Sequence, residues 1–229
     1  MAGMDWQAAG AALDGQGWAL LPNLLGPEAC REAAALWQAE HRFRSRVAMA
    51  RHGFGQGEYR YFAYDLPEPV AGLRAGLYPP LAGIANRWQA ALGLPERFPG
   101  THRDYLARCR DAGQARPTPL LLRYGPGDYN CLHQDLYGAE AFPLQVAILL
   151  SRPKVDFTGG EFLLSEQRPR RQPRATVVPL EQGDAVAFAV SERPVQGSRG
   201  CYRTRMKHGV STIRSGERFT LGLIFHDAL

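Results

Sequence analysis

The second half of the chain consists of short apolar runs separated by turn residues. Seven such runs follow Thr118, each bounded by Gly, Pro, Asp or Ser. They cover residues 120–124, 142–151, 161–165, 175–179, 185–190, 202–213 and 219–225. Several short strands at this spacing are typical of an antiparallel barrel or a double-sheet jelly roll. The sequence therefore predicts a mainly β fold for residues 118–229.

The first 117 residues instead favour helices, because their apolar residues recur at helical spacing next to helix start signals. Helices are predicted at residues 28–41, 78–92 and 101–112, after a short helix from residue 5 and a strand at 18–21. Pro27 suits the first turn of its helix. Thr101 followed by Asp104 is a capping-box pattern that starts another.

Residues 42–66 follow neither the helical nor the strand period. Arginines alternate there with aromatic residues around three glycines, which predicts a lid or a surface loop. We expect one α+β domain over residues 1–229. Residues 1–117 are predicted to form helical support and a lid, and residues 118–229 a double-stranded β-helix, or jelly roll.

Composition excludes several classes of protein. Hydrophobic residues make up 45% of the chain, enough to form a core and to exclude a disordered protein. The four cysteines lie far apart without a CxxC pair, and no segment has the pattern of a secretory signal or a membrane span. We therefore expect a cytoplasmic protein without a membrane segment.

The basic residues are almost all arginines, with 25 arginines and two lysines in a chain of net charge +5. The arginine fork suits phosphate and carboxylate groups, but a GC-rich codon bias produces the same excess. Residues 165–218 carry 11 basic and 5 acidic residues, so the positive charge is concentrated late in the chain. This distribution is a weak indication of an anionic partner.

Two His-x-Asp triplets are candidate metal sites. His102 and Asp104 lie in a predicted helix, where residues i and i+2 are about 200° apart around the axis and diverge. His133 and Asp135 follow the turn at residues 125–128, where an extended backbone sends residues i and i+2 to one side. Only the second triplet is predicted to share one ion.

His208 is the candidate third ligand. It lies 75 residues after His133 in a predicted strand, and a jelly roll brings such distant strands together. Two imidazoles and one carboxylate with open positions opposite them form the facial triad of non-haem Fe(II) oxygenases. Hydrolytic zinc uses the same donors. His133, Asp135 and His208 are the predicted metal ligands, and zinc is the alternative to iron.

Arg218 favours iron over zinc. It stands ten residues after His208 at the start of the last predicted strand, where it can face the same cavity. A dicarboxylate cosubstrate needs a fixed cation at the end away from the metal, and a bidentate arginine pair is strong. Zinc hydrolysis has no such requirement. The alternative is a solvated arginine in a hairpin.

These residues resemble the Fe(II)/2-oxoglutarate dioxygenase superfamily, whose pattern is His-x-Asp, a distal His, and Arg or Lys about ten residues later. The similarity covers residues 120–229 and includes supporting motifs in order: Arg123-Tyr124-x-Pro126-Gly127, Leu132-His133-Gln134-Asp135, Gly159-Gly160-Glu161-Phe162-Leu163 and Gly183-Asp184-Ala185-Val186-Ala187-Phe188. The first two motifs resemble AlkB-type nucleic-acid demethylases. The later motifs and the helix start at residues 24–30 resemble prolyl 4-hydroxylases. The segment 207–228 resembles a prokaryotic oxygenase family suggested to act on damaged DNA.

The resemblance implies Fe(II), 2-oxoglutarate and O2 as cofactor and cosubstrates. It implies that Arg218 binds 2-oxoglutarate and counts, with the three metal ligands, among the catalytic residues. Tyr124 would hydrogen-bond the cosubstrate, and Thr220, on the same strand face as Arg218, would assist. Asn130 and Gln145 are further candidates for lining the cavity.

The implied function is oxidative decarboxylation of 2-oxoglutarate coupled to C–H hydroxylation, which on an N-methyl group becomes oxidative demethylation of alkylated nucleic acid. The interleaved arginines and aromatics of residues 42–64 and the basic loop 168–174 favour single-stranded or damaged DNA or RNA as partner. A prolyl or other protein or peptide hydroxylase is the alternative, followed by a small-molecule oxygenase. A jelly-roll binding module without activity is a further alternative, but it has no need of all four site residues.

Overall fold

The computed structural model of the protein describes residues 3–135, 138–198 and 200–229, which contain four α-helices and fifteen strands. The helices are α1 (Trp6–Gln16), α2 (Pro27–Ala35), α3 (Val70–Ala91) and α4 (His102–Asp111). The strands are β1 (Trp18–Leu21), β2 (Phe43–Ala48), β3 (Gly55–Gln56), β4 (Glu58–Phe62), β5 (Leu120–Tyr124), β6 (Tyr129–His133), β7 (Leu144–Leu149), β8 (Phe157–Gly159), β9 (Phe162–Gln167), β10 (Arg174–Val178), β11 (Ala185–Ala189), β12 (Glu192–Gly197), β13 (Gly200–Val210), β14 (Ile213–Gly216) and β15 (Arg218–Leu223). This is the predicted mainly β, α+β composition.

Two antiparallel sheets form the jelly roll. The larger has the strand order β1-β11-β7-β15-β5-β4-β2, and the smaller has the order β10-β9-β13-β6-β3 with β12 paired to β13. Every residue of β7 and β11 is buried, because these central apolar strands lie inside the fold on both faces. Helices α1 and α2 contact the larger sheet at β1, β11 and β15. The predicted double-sheet architecture is confirmed.

Helix α3 begins eight residues before its predicted start. Pro79 and Pro80 lie within it, although prolines favour the first turn of a helix. Buried Val70 and Leu77 extend the apolar face of the helix before the prolines, so packing prolongs it. Its Tyr78 ring lies 5.3 Å from the Tyr105 ring of α4, and this contact joins the two helices.

The prediction of a lid or loop over residues 42–66 is wrong for most of that segment. Strands β2 and β4 form an antiparallel pair, and β4 joins the larger sheet beside β5. The alternation of aromatics and arginines is a strand period, since successive side chains face opposite sides. Residues 1–117 thus supply strands to both sheets as well as helical support.

Other boundaries differ from prediction for local reasons. The helix predicted at residues 28–41 ends at Ala35 and continues as two 3-10 turns, 36–38 and 40–42. Strands β6, β8, β12 and β14 are absent from the predicted set because they are short or polar, and pairing with neighbours defines them. No helix in the described residues is long and apolar enough to cross a membrane.

Candidate metal centre and cosubstrate cavity

The pairing of β6 with β13 brings the two candidate histidine ligands together. His133 and His208 are directly opposite residues in this antiparallel pair, and opposite residues present their side chains on one face. Asp135 follows β6 by two residues. One ligand atom from each of His133, Asp135 and His208 lies within 4.8 Å of the others.

The carboxylate of Asp135 lies between the two rings. Its Oδ1 is 3.4 Å from His133 Nε2, and its Oδ2 is 3.4 Å from His208 Nε2. His133 Nδ1 lies 2.7 Å from the Cys131 carbonyl oxygen, to which only a ring N–H can donate. This bond leaves the lone pair of neutral His133 on Nε2, facing the carboxylate, as in metal-binding histidines oriented by an outer partner.

Gln134, the middle residue of the triplet, anchors the segment that carries Asp135. Its side-chain amide donates to the backbone carbonyls of Ser191, at 3.2 Å, and Met206, at 2.8 Å. Met206 belongs to β13, two residues before His208. The side chain therefore ties the residues after β6 to the strand that carries the third candidate ligand.

Burial and the hydrogen bonds among these three side chains shift their pKa values in opposite directions. Burial lowers the pKa of His208. Burial acts the same way on His133, but the hydrogen bond and charge of Asp135 raise its pKa overall. Burial opposes ionisation of Asp135, yet its bonds to both imidazoles hold the pKa of the carboxyl well below its usual value. An ionised carboxylate beside two imidazole nitrogens is a donor set that fits Fe(II).

The same cavity holds all six predicted site residues. It has a volume of about 230 Å³ and lies between the sheets. Its polar lining includes His133, Asp135, His208, Tyr124, Arg218 and Thr220. Its apolar wall includes Leu120, Leu122, Val146 and Ile224. Asn130 and Gln145 also line the cavity, which fixes the directions that the sequence left open.

Arg218 is a buried cation that forms no ion pair with an acid of the described residues. Its side chain is 1% exposed, and its Nη1 donates to Thr220 Oγ1. Its guanidinium carbon lies 5.7 Å from the centre of the Tyr124 ring, while Nε has no hydrogen bond within the described residues. Burial lowers the pKa of Arg218 to about 10, so it keeps its charge at neutral pH. A buried unpaired charge is costly, and a ligand carboxylate fits this position.

The Gly-Gly-Glu turn makes room for that arginine. Gly160 has φ +64°, and a Cβ at this position would lie 2.9 Å from Arg218 Cδ and 2.3 Å from Ile213 Cδ1. Only glycine accepts both the backbone angle and the contact without displacing its neighbours. The motif at residues 159–161 therefore shapes the space around the Arg218 side chain.

Further polar groups in the cavity have spare hydrogen-bonding capacity. The Tyr124 hydroxyl is buried and approaches Asn130 without a hydrogen bond of normal geometry, and burial raises the pKa of Tyr124. The side-chain nitrogen of Gln145 is buried with no hydrogen bond in the described part of the chain. These atoms can bond to a ligand without giving up an existing partner.

Three further aromatic side chains line the cavity, and all three belong to the segment 42–64 rather than to the six predicted site residues. Tyr59 and Tyr61 of β4 line the cavity with their rings 5.4 Å apart, and Phe54 lines it from before β3. Phe54 is 45% exposed and stacks on His52 at 5.3 Å. A strand interpretation of residues 58–62 would have placed Tyr59 and Tyr61 on one face.

Other histidine and aspartate side chains have contacts within the fold. His102 is buried in α4 and its Nε2 lies 2.8 Å from the Phe225 carbonyl oxygen. Asp104 receives the Thr101 hydroxyl at the helix start. Asp227 forms a buried ion pair with Arg74 at 2.8 Å. None of these side chains belongs to the metal-ligand group.

Sequence comparison identifies the family. The family Oxygenase-NA, described as an oxygenase catalysing oxidative methylation of damaged DNA, matches residues 57–228. The chain belongs to this oxygenase family. Uncharacterized proteins from two strains of Mycobacterium tuberculosis are each 45% identical to this Oxygenase-NA member over 223 residues, covering 89% of this chain and 96% of the relative.

Solved structures share the fold of this Oxygenase-NA member. A Pseudomonas putida prolyl-4-hydroxylase has a TM-score of 0.54 at 15% identity, covering 97% of this chain and 100% of that one. A prolyl hydroxylase from Trichoplax adhaerens, in complex with a hypoxia-inducible-factor peptide, has a TM-score of 0.60 at 15% identity, with coverage of 97% and 89%. A Burkholderia pseudomallei protein of the 2OG-Fe(II) oxygenase family has a TM-score of 0.53 at 17% identity, with coverage of 97% and 92%.

The family match and the fold together confirm the predicted class. The chain is therefore a member of an oxygenase family with the fold of these solved structures. The His–Asp–His group is compatible with iron.

Proposed function

We propose that this oxygenase binds Fe(II) through His133, Asp135 and His208 and binds the distal carboxylate of 2-oxoglutarate through Arg218 and Thr220. One observation carries the proposal: the three ligands line a single cavity with a buried arginine that has no ion pair within the described residues. A hydrolytic metal site has no use for that arginine. A cosubstrate that chelates a metal with one end and carries a carboxylate at the other has a use for both groups.

The side chains of this cavity would then prepare the reaction. Bound Fe(II) and 2-oxoglutarate supply the oxidising chemistry, in which O2 is reduced while 2-oxoglutarate becomes succinate and CO2. Arg218 neutralises the distal carboxylate and fixes its direction, and the Tyr124 hydroxyl is placed to donate to the cosubstrate. Asp135 stays ionised at neutral pH because both imidazoles stabilise its charge. The apolar wall excludes water from the reacting groups.

The substrate that the cavity favours is an N-methylated nucleobase. The family is described as acting on damaged DNA. Tyr59, Tyr61 and the exposed Phe54 give the cavity aromatic surface, on which a base extruded from its strand can stack. Hydroxylation of the methyl carbon yields a hydroxymethyl amine that breaks down to formaldehyde and the free N–H. Overall, N-CH3, O2 and 2-oxoglutarate give N-H, formaldehyde, succinate and CO2.

Succinate and formaldehyde measured together test this function. Purified protein with Fe(II) should convert 2-oxoglutarate into succinate and release formaldehyde in proportion from methylated single-stranded oligonucleotides. Unmethylated oligonucleotides are the control and should yield no formaldehyde. Full turnover with zinc after removal of iron contradicts the oxygenase chemistry. Hydroxylation of a peptide panel with no formaldehyde from any oligonucleotide contradicts the proposed substrate and supports the protein hydroxylase alternative. The cytoplasmic location stays a prediction.

A further inference from the structure

The arginines of residues 42–60 are mostly engaged within the fold. Arg60 is buried, lies 4.1 Å above the Trp37 ring and bonds to the Glu58 carboxylate at 2.9 Å. Arg46 forms an ion pair with the same carboxylate group. Arg44 donates to the Pro117 carbonyl oxygen at 2.8 Å. These three arginines stabilise the β2–β4 edge and are engaged within the fold.

Strand β13 presents a row of cations to solvent. Arg203, Arg205 and Lys207 are exposed, whereas the intervening Thr204 and Met206 are buried. Alternate residues of a strand share a face and lie about 6.8 Å apart. The row is therefore straight and regularly spaced on the outer face of the smaller sheet.

The basic loop at residues 168–174 adds to this row. Gln167, the last residue of β9, is the register partner of Arg205, so the loop starts beside the centre of the row. The loop contributes the exposed cations Arg170 and Arg171. Arg174 is the register partner of Glu166 and, with Arg168, lies beside the buried Met206, so these two arginines belong to the opposite face of the sheet. We refer to Arg170, Arg171 and the three β13 cations as the β13 basic face.

Few acids neutralise the β13 basic face. Glu166 lies on the opposite face of the sheet, where it bonds to the buried Arg193 at 2.6 Å and lies 3.4 Å from Arg168. Glu192 lies 3.3 Å from Arg203. Arg205 and Lys207 have no ion pair within the residues that the structure describes. The net charge of the face is strongly positive.

The β13 basic face shares a strand with one of the candidate metal ligands. Lys207 directly precedes His208, and the opposite strand β6 ends at His133. Adjacent residues of a strand face opposite sides of the sheet, so the cations lie on the outer face and His208 on the cavity face. A chain bound along the row would reach the cavity only by passing around the sheet.

We propose that the β13 basic face binds the phosphate backbone of single-stranded nucleic acid. Regularly spaced arginines suit successive phosphates, because each planar fork can form two hydrogen bonds with one phosphate. A single strand presents unpaired bases that can enter the cavity without the cost of unpairing a duplex. The inference rests on the proposed function for its reaction, but its binding test is separate.

Salt-dependent binding of a fluorescent oligothymidylate of about 12 nucleotides tests the surface directly. The variant Arg203→Ala/Arg205→Ala/Lys207→Ala should bind at least about tenfold more weakly at low salt. Its negative slope of log affinity against log salt should become less steep by about 2. Arg31→Ala/Arg103→Ala/Arg110→Ala is the matched control, since it removes three exposed positive charges on α2 and α4. It should keep the wild-type slope.

Succinate formation without a primary substrate is measured on the same proteins and separates the two proposals. If the triple variant forms succinate at the wild-type rate but its oligonucleotide binding loses its salt dependence, the result supports nucleic-acid binding by the β13 basic face. Equal losses in the variant and the matched control, no binding by the wild type at low salt, or equal competition by polyglutamate would overturn it. Normal oligonucleotide binding without succinate formation would instead refute the proposed function and leave the surface intact.

Discussion

His102 and His133 each stand two residues before an aspartate, yet the two triplets have opposite surroundings. His102 lies in α4 with its ring against the Phe225 carbonyl oxygen, and Asp104 is held by the Thr101 hydroxyl at the start of the helix. His133 ends β6 with its Nε2 3.4 Å from Asp135, beside a second histidine. The same spacing thus serves helix capping in one place and a candidate metal centre in the other.

Backbone shape and neighbouring strands make this difference. A helix separates residues i and i+2 around its axis, so the first pair cannot share an ion. The second pair leaves a strand whose antiparallel neighbour supplies His208. A short motif therefore indicates a metal site only where the backbone and a distant third donor agree.

The largest expected difference between the triplets is in catalysis. Asp135→Ala should lower iron-dependent succinate formation by at least about 100-fold, because it removes the only carboxylate among the candidate ligands. Asp104→Ala is the matched change in the other triplet and should keep wild-type turnover. Succinate assays on both variants, with circular dichroism to check folding, measure the difference. Equal loss of turnover in the two variants would refute the distinction.

A large effect is also expected on cosubstrate binding beside the second triplet. Arg218→Ala should raise the KM for 2-oxoglutarate about 100-fold, since loss of a buried charge pair costs about 3 kcal/mol. Thr220→Val removes one hydrogen bond to Arg218 and should raise the KM about fivefold. Initial rates at varied 2-oxoglutarate give both values. An unchanged KM for Arg218→Ala would exclude the proposed carboxylate site.

The first triplet should instead affect how the free energy of unfolding depends on pH, through His102. Burial lowers the pKa of His102 from 6.5 to about 4. As pH falls from 6.5 to 4 the unfolded chain gains a proton that the folded histidine resists, so folding loses up to roughly 3 kcal/mol from this group. His102→Gln keeps a donor for the Phe225 carbonyl and should flatten this part of the curve. Urea unfolding at about pH 7 and pH 4.5 compares the two proteins, and identical pH dependence would contradict the assignment.

The smallest expected effect is at the helix start of the first triplet. Thr101→Ala removes the hydroxyl that accepts from the Asp104 N–H at 3.2 Å. The free energy of unfolding should fall by about 1 kcal/mol, the usual cost of a lost N-cap. Succinate formation should not change. A loss of turnover without a loss of stability would show that α4 influences the cavity.

Prediction from sequence succeeded where the signal is local. Strand β1 and strand β5 have their predicted bounds, because Gly, Pro and Asp mark the turns around compact apolar runs. Helix α4 follows from its Thr101 cap. Prediction failed at β2 and β4, where polar and aromatic residues alternate and the pairing with β5 decides the structure. Motif spacing and a resemblance named the six predicted site residues, which line one cavity.

The aromatic wall could not be predicted in this way. Tyr59 and Tyr61 have no motif, and only the β4–β5 pairing turns them toward the cavity. Gln134 likewise looks like a spacer in the triplet, but its amide holds two carbonyls on distant residues. Such roles depend on contacts between segments that are far apart in the chain.

The sequence by itself determined the apolar runs of a jelly roll, the spacing of two histidines and a carboxylate, and an arginine ten residues after the last ligand. The tertiary structure alone decided which arginines are available. It buries Arg218 with no ion pair to an acid of the described residues, engages Arg60 within the sheet edge, and leaves Arg205 exposed. Charge is a property of each residue, but whether a charge is paired, buried or free depends on which strands meet.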